Sequence, residues 1–588
     1  MPIDRWRLVR GAAAGAVVLG LLVGCNDDPA PVSSPSASAV RSTSSAPATP
    51  TPSPTVAAPA GAVVAAPGAA ATVVDAGAAA AALATSRAVF VSSPLVVVAA
   101  ADDAGGQLTA ASVAVALGAP VLLTGDSLPA EVERLGATRV VAVGDAVAPD
   151  GVSVVTVASG ASADELEAAT GVAFGHAPRV KRGNAAAVAA VSGLEADAPV
   201  ALVGAGVQGT KAASKPTPSA PSTGAPTSGS APTPARPALP AAPAGLVALV
   251  GAGRTPVAAL ATVRAAGVPV VSVPGGDPRA TSATVKAVAA AEPDSVIALG
   301  PGFGTPSRLA ARVGTARTGV LIPGGGQLVY PEGDGVRGKR YVALYGTPGS
   351  KALGVLGEQS VAKTVARATR TAKPYRALTK DTVVPMVEII ATIASASAGD
   401  DKDYSRERSV AELRPLIEAA HRKGLAVVLD LQPGRTDFLT QAKRYEPLLA
   451  MPNVGLALDP EWRLKKNQKH LRQIGSVKVA EVNRVGDWLA EFTAQRHLPQ
   501  KMFVLHQFSL SMISDRSELD TSHDELAVLI HVDGQGSQPA KRGTWHALRT
   551  GAPDVHWGWK NFYDEDHPML SPKKTYKVSP KPDLVTYQ

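Results

Sequence analysis

From about Lys339 to the end of the chain, short apolar runs alternate with amphipathic stretches at near-regular intervals. This alternation is typical of βα units, in which a helix returns the chain to the next parallel strand. The runs that we interpret as strands are residues 341–345, 383–390, 425–429, 454–458, 502–505, 526–530 and 555–557. Seven such steps in roughly 230 residues fit a (β/α)8-like barrel better than an open sheet. The eighth strand is unassigned, so the pattern allows an incomplete barrel or a complete one with a strand near Tyr330 or after Tyr576.

Two of the intervening helices have local signals. Ser409 and Glu412 have the spacing of a capping box, and Gly424 predicts the end of that helix. The apolar face of another helix is expected at Val482, Val485, Leu489 and Phe492.

Polar residues follow the predicted barrel strands. Because the active sites of such barrels lie at the C-terminal ends of the strands, we expect these residues to converge on one mouth. The candidate catalytic residues are Asp430, Asp459, Glu461 and Asp533. The candidate substrate-binding residues are Tyr345, Glu388, Gln432, Trp462, His506, Gln507, His531, Trp557 and Trp559. Asp459 and Glu461 are two positions apart, so both should project to one side while the chain stays extended.

Paired carboxyl groups beside aromatic rings suit glycoside hydrolysis, which needs an acid, a base or nucleophile, and flat surfaces for sugar rings. In architecture the domain looks like the glycosidase-type barrels of bacterial envelope proteins, and the Asp459-Pro-Glu461 pair is similar to acidic strand-end motifs of wall-active hydrolases. We therefore predict a barrel that acts on or binds envelope glycans, with no cofactor.

Two alternatives remain open for the barrel. In the first, His506, His531 and Asp533 hold a divalent metal in a metal-dependent hydrolase. In the second, the barrel binds glycan or has a structural role without catalysis, and its polar strand ends only bond hydroxyl groups and loop amides.

An earlier part of the chain has apolar runs at 95–99, 119–123 and 139–143, separated by alanine-rich helical stretches. Continuous apolar runs indicate parallel strands that are covered on both faces. Residues 116–124, 128–132 and 135–144 resemble the type 2 cell-wall-binding repeat of Gram-positive surface proteins. The resemblance implies a flavodoxin-like three-layer unit that binds anionic wall polymers, and a degenerate second copy is expected in the runs 245–250, 267–273 and 294–300. The family's aspartate-alanine-leucine stretch is replaced at residues 102–108, so either a working binder or a purely structural copy is compatible with the sequence.

Two other partner classes are not expected. Residues 204–209 match the dinucleotide fingerprint, but the proline-containing segment 210–218 that follows excludes the helix on which pyrophosphate binding depends, so no nucleotide is predicted. The formal charge of +8 does not correspond to Lys/Arg clusters interleaved with aromatic residues, so no nucleic acid is predicted.

The first residues have the layout of a signal peptide, with a basic start and an apolar run over residues 11–24 that is too short for a permanent membrane helix. The run ends in Leu22-Val-Gly-Cys25, which resembles the lipobox of bacterial lipoproteins. The resemblance implies cleavage before Cys25, diacylglyceration of its thiol, and anchoring to membrane lipid on the extracellular face of the cell membrane. Cys25 is the only cysteine, which excludes internal disulfides.

Segments rich in Pro, Ser, Thr and Ala cannot bury enough apolar surface to fold, and they separate the predicted domains. The predicted organisation is a lipoprotein signal peptide at 1–24, a disordered tether at 25–60, a cell-wall-binding-repeat-like α/β domain at 61–208, a linker or insertion at 209–243, a degenerate α/β copy at 244–335 and a barrel-like domain at 336–588. The fold class is therefore α/β, with a flavodoxin-like three-layer repeat region followed by the barrel. Five of the six tryptophans lie in the last third, where we expect the chemistry.

Overall fold

The computed structural model describes residues 61–205, 237–251 and 253–588. The signal peptide, Cys25, the tether and residues 209–236 of the predicted linker lie outside the described residues. Among the described residues, no helix combines the length and the apolarity that crossing a membrane requires.

The α/β region contains two four-stranded parallel sheets. The first sheet has the strand order Val121–Leu123, Leu95–Ala99, Arg139–Val143 and Ser153–Val157. The second has the order Val270–Ser272, Leu246–Val250, Ser295–Leu299 and Ala71–Val74. The helices of this region are Ala78–Val89, Ala104–Leu117, Leu128–Leu135, Ala163–Thr170, Asn184–Ser192, Val257–Ala265, Ser282–Ala291 and Pro306–Arg317. Two short pairings complete it, Val63–Val64 with Phe90–Ser92 and Gly175–His176 with Val200–Ala201.

The two sheets are interleaved along the chain. Ala71–Val74 precedes every strand of the first sheet in sequence, yet it pairs with Ser295–Leu299 at the edge of the second. The sheets also share one apolar core, in which the Thr262 hydroxyl accepts a hydrogen bond from the Val121 amide at 3.0 Å. The segment predicted as a separate first domain thus supplies a strand to the second copy.

The C-terminal region is a closed barrel of eight parallel strands. In chain order these are Lys339–Thr347, Thr382–Ala394, Ala426–Leu431, Val454–Leu458, Lys501–Gln507, Leu526–Val532, His556–Asn561 and Leu584–Tyr587. The last strand pairs with both the first and the seventh, so the tail after Tyr576 supplies the strand that the sequence left unassigned. The predicted (β/α)8-like barrel is confirmed, and it is complete.

Helices surround the barrel at Val361–Ala372, Val410–Arg422, Phe438–Arg444, Glu446–Leu449, Val479–Gln495, Gln538–Arg549 and Pro572–Thr575. Shorter elements are the antiparallel strands Ser350–Gly354 and Ser405–Glu407, the pair Val477–Lys478 and Ile513–Ser514, and single 3-10 turns. The Ser409 hydroxyl accepts from the Glu412 amide while the Glu412 carboxylate accepts from the Ser409 amide, which confirms the predicted capping box. The predicted apolar face of Val479–Gln495 is buried.

The barrel interior has an apolar lower part. Inward side chains such as Met386, Val504 and Leu529 fill it, and Ile322 and Val329 from the preceding loop close its N-terminal end. Burial of this apolar layer is the main source of stability for such a barrel.

The α/β region contacts the barrel at the N-terminal ends of the strands. Asp524, which lies just before the strand Leu526–Val532, binds Arg279 at 2.8 Å and Arg312 at 2.6 Å. Asp277 binds the same two guanidinium groups at 2.8 and 3.2 Å. This contact is at the opposite end of the strands from the polar residues predicted to form the site.

Candidate active site at the C-terminal mouth of the barrel

A layer of polar side chains covers the apolar interior at the C-terminal ends of the strands. Side chains alternate along each strand between the barrel interior and the surrounding helices. Each of the eight strands, or the residue directly after it, supplies one member of this layer, all of them buried: Tyr345, Glu388, Asp430, Asp459, His506, His531, Lys560 and Thr586. Such a layer carries a large desolvation cost unless its charges are paired.

Asp533 connects the two histidines of the layer. Its Oδ2 lies 2.6 Å from His506 Nδ1, and its Oδ1 lies 2.6 Å from His531 Nδ1. Lys560 Nζ approaches the same carboxylate at 3.4 Å. His506 Nε2 lies 2.8 Å from Glu388, so both ring nitrogens of this imidazole face a carboxylate.

A second set of contacts surrounds Asp430. The Tyr345 hydroxyl donates to Asp430 Oδ2 at 2.7 Å, and the Gln432 amide donates to the tyrosine oxygen at 3.3 Å. Asp430 Oδ1 has no hydrogen-bond partner among the described residues, and His506 Nε2 lies 3.8 Å away. One oxygen of this buried carboxyl group is therefore held and the other is available.

Asp459 and Glu461 lie where the fourth strand turns into the 3-10 helix Pro460–Trp462. The chain is therefore not extended between them, so the expectation that an extended chain projects both side chains to one side does not apply. They remain close enough for Glu461 to raise the pKa of Asp459. Asp459 is buried with Oδ1 unpartnered among the described residues, whereas Glu461 is half-buried at the mouth.

Burial shifts the pKa of each titratable group in this layer toward its neutral form. For four groups, the charges of the neighbours outweigh burial and favour the charged form. Burial would raise the pKa of Asp533, yet His506, Lys560 and His531 lower it well below its ordinary value. Burial would raise the pKa of Glu388 as well, but His506 lowers it. The pKa of His506 is raised well above its ordinary value, because Asp533 and Glu388 outweigh its burial. They likewise outweigh burial at Lys560 and raise its pKa. Two carboxylates and two cations therefore coexist here at neutral pH.

Three carboxyl groups behave in the opposite way. Burial, assisted by Glu388, raises the pKa of Asp430 to about 6, although His506 opposes the shift. Burial and the charge of Asp533 raise the pKa of Glu461 to about 7. Burial, then Glu461 and Asp430, raises the pKa of Asp459 well above its ordinary value. Groups with such separated pKa values can serve as acid and base in one reaction.

No family model and no curated protein sequence matches this chain. Among solved structures, Cwp6 from Clostridium difficile is similar at 12% sequence identity and a TM-score of 0.29, over 62% of this chain and 63% of that chain. The xylanase and alpha-amylase inhibitor protein XAIP-II from Scadoxus multiflorus is similar at 13% identity and a TM-score of 0.26, over 42% of this chain and 93% of that chain. The complex of XAIP-I with trehalose gives the same identity and TM-score, over 42% and 92% of the two chains. Similarity at this level assigns neither a family nor an activity.

Three predicted binding residues do not face the mouth. Trp557 and Trp559 lie 6.0 and 5.5 Å, between ring centres, from Trp545 on a surrounding helix and belong to the apolar layer outside the barrel. The reason is the alternation along this strand, which places Gly558 and Lys560 inside. Gln507 likewise faces outward, where its oxygen accepts from Arg516. The expectation that these three side chains converge on the mouth is therefore not met.

Trp462 has a different environment. It is half-buried on the turn after the fourth strand, and its ring meets His470 edge to face at 5.3 Å. It is the tryptophan that lies beside Glu461 in the chain.

Two members of the layer were not among the predicted site residues. Lys560 has its ammonium group 3.8 Å from the centre of the Tyr345 ring, and the Thr586 hydroxyl donates to Glu388 at 3.2 Å. Lys560 could have been identified from the alternation of side chains along the seventh strand, because it faces the same side of the strand as Gly558. Thr586 could not be found without the eighth strand.

His506, His531 and Asp533 also form a possible metal-binding group, since their ligand atoms lie within 4.8 Å of one another. Two imidazoles and a carboxylate suit zinc and related ions. His531 fits this role, because burial lowers its pKa and its Nε2 has no partner among the described residues. His506 fits it less well, because its two nitrogens already face Asp533 and Glu388.

Proposed function

We propose that the barrel is a glycoside hydrolase that acts on an envelope glycan. The observation that carries the proposal is the geometry of the mouth, where Glu461 is half-buried and Asp430 is buried with Oδ1 unpartnered among the described residues; burial raises the pKa of both carboxyl groups. A carboxyl group that solvent can reach, together with a second one that has a free oxygen, supplies the acid and the base or nucleophile that cleavage of a glycosidic bond requires.

In this mechanism Glu461 is the general acid. Of the three carboxyl groups with raised pKa values, Glu461 is the half-buried one, so it can meet the glycosidic oxygen of a substrate that enters from solvent. Asp430 is the base or nucleophile through Oδ1, while Tyr345 holds Oδ2 in place. Burial and the charges of Glu461 and Asp430 raise the pKa of Asp459 well above its ordinary value, which favours its protonated form, and Asp533 holds His506 in place through its Nδ1.

The experiment compares Glu461→Gln with the wild-type chain on isolated envelope glycans, with reducing-end release as the readout. The amide retains the shape but cannot transfer a proton, so we expect a loss of about 10²- to 10⁴-fold in turnover with an unchanged or higher melting temperature. Glu491→Gln, on the exposed surface of the helix Val479–Gln495, is the matched control and should retain activity. A wild-type chain that binds these glycans but hydrolyses none of them would contradict the proposal and favour a binding module.

The metal-dependent hydrolase is the second candidate, and the clustering of His506, His531 and Asp533 favours it. Chelation followed by readdition of zinc or manganese separates the two proposals. Activity that disappears on chelation and returns with metal would favour the second.

We infer the location from the sequence. The lipobox-like segment ending at Cys25 supports a lipid anchor on the extracellular face of the membrane, and the resemblance to wall-binding repeats supports attachment of the α/β region to a wall polymer. The barrel would then act on glycan close to the membrane surface.

A further inference from the structure

A basic cavity of about 520 Å³ opens on the same face of the barrel as the candidate active site. Its volume lies within the range of small-ligand sites. The charged residues that line it are Arg435, Arg463, Lys465, Lys466, Lys478 and Arg484, together with the single acid Glu481. Six cations to one carboxylate is a strong local imbalance, and it favours an anionic ligand.

The single acid does not neutralise the cavity. Both oxygens of Glu481 are engaged by Arg463, at 3.0 Å to Nε and 3.4 Å to Nη2. Arg435 donates to the Gln468 carbonyl oxygen at 3.0 Å, and its Nε has no hydrogen-bond partner among the described residues. No carboxylate of the cavity lining is therefore left for the lysines.

The lysines are placed at the solvent side. Lys465, Lys466 and Lys478 are exposed, as is Arg484. Like charges that gather around one concavity repel one another, so their arrangement costs stability unless an anion binds between them.

The cavity is joined to the turn that carries the proposed acid. Arg463 is two residues after Glu461, and the Gly475 amide donates to the Glu461 carbonyl oxygen at 2.7 Å. The Ser476 amide donates to the Arg463 carbonyl oxygen at 3.2 Å. Both ends of the loop that contains Lys465 and Lys466 are thus fixed to this turn.

We propose that this cavity is a subsite for a phosphate or carboxylate group carried by the glycan, so that the barrel recognises an acidic glycan. The inference rests on the proposed function for the position of the scissile bond at Glu461. When the scissile bond lies at Glu461, the adjacent sugar of the glycan would present its acidic substituent to Lys465 and Lys466. Recognition of the anion can be measured as binding, separately from hydrolysis.

The test measures binding of fluorescein-labelled oligosaccharides to the full chain by fluorescence anisotropy. One pair of probes is oligogalacturonate and its methyl ester, and the other is phosphopentamannose and its dephosphorylated form. Each pair shares a sugar backbone and differs in charge. The variants are Lys465→Ser/Lys466→Ser and, as a charge-matched control, Lys573→Ser/Lys574→Ser at two exposed positions of the helix Pro572–Thr575, outside the cavity lining.

We expect the wild-type chain to bind one of the acidic probes about tenfold or more tightly than its neutral partner, and the Lys465/Lys466 variant to lose most of that preference while the control retains it. The pair that shows the effect identifies the group as carboxylate or phosphate. Equal binding of acidic and neutral probes, or equal weakening in both variants, would overturn the subsite and leave the hydrolase proposal intact. An acidic glycan that binds through the lysines but is never cleaved would support the subsite and overturn the hydrolase.

Discussion

Replacing Asp533 with Asn tests whether the paired charges of the mouth are a structural network. The carboxylate accepts hydrogen bonds from two buried imidazoles at 2.6 Å each and lies 3.4 Å from Lys560. An amide has one acceptor oxygen in place of two and no charge, so at least one imidazole loses its partner. Removing one member of a buried ion pair leaves the remaining charge uncompensated, which costs about 3–5 kcal/mol.

The sign of the pH dependence follows from the two pKa shifts. The pKa of Asp533 is lowered, so its contribution to stability is present above its ordinary value and is lost as the pH falls through the folded value. The pKa of His506 is raised, so its contribution is complete below about 6.5 and is lost as the pH rises through the folded value. Asp533→Asn should therefore cost most between about pH 4 and about pH 6.5.

The measurement is unfolding in urea at about pH 6, monitored by tryptophan fluorescence. In thermal unfolding, the midpoint of the variant should fall by roughly 10 °C. The signal reports the barrel, because five of the six tryptophans lie in it. Asp487→Asn is the matched control: Asp487 also binds a histidine, His523 at 2.9 Å, but is 60% exposed, so its loss should cost less than about 0.5 kcal/mol. If both variants unfold within about 1 kcal/mol of the wild-type chain, the network does not stabilise the barrel.

Two further outcomes are expected. The pKa of Glu461 is raised from 4.5 to about 7, so deprotonation of this residue lowers the stability of the fold. As the pH rises from about 5 to about 8, the free energy of unfolding of the wild-type chain should therefore decline more than that of Glu461→Gln. If urea unfolding gives the same pH dependence for both chains, the shift is contradicted. Cys25→Ala should abolish lipid labelling and shift the protein from the membrane fraction to unprocessed precursor or released material, and fractionation that finds the variant unchanged in both lipid labelling and membrane retention would exclude the anchor.

Periodicity was sufficient to predict the barrel and most of its polar layer. Apolar runs located seven strands, and the residue at each strand end then included Glu388, Asp430, Asp459 and His506, which the structure brings together. Periodicity does not identify the eighth strand, Leu584–Tyr587, because its four residues carry little periodic signal and its place depends on two distant partners.

The errors concern which side of a strand a residue faces and what lies after it. Proximity to a strand end predicts Trp557 and Trp559 at the mouth, but a shift of one position along a strand moves a side chain from the barrel interior to the surrounding helices. The two-residue spacing of Asp459 and Glu461 predicts that both side chains point the same way only in an extended chain, and Pro460 instead begins a 3-10 turn. The cavity at Lys465 and Lys466 depends on a loop that returns to its own starting turn, which local sequence does not reveal.

The mouth divides into two halves with different consequences for mutation. Strands five to seven supply His506, His531 and Lys560, whose charges or hydrogen bonds are matched by Asp533. Strands three and four and the turn after strand four supply the carboxyl groups with raised pKa values, and the loops that follow the same two strands form the basic cavity together with the start of the helix Val479–Gln495. A buried charge that has its partner stabilises the fold, so removing the partner destabilises it. A buried carboxyl oxygen without a partner destabilises the fold, and such a group is expected where it binds a ligand. Substitutions in the first half should therefore appear mainly as loss of stability, and isosteric substitutions in the second half mainly as loss of activity or binding.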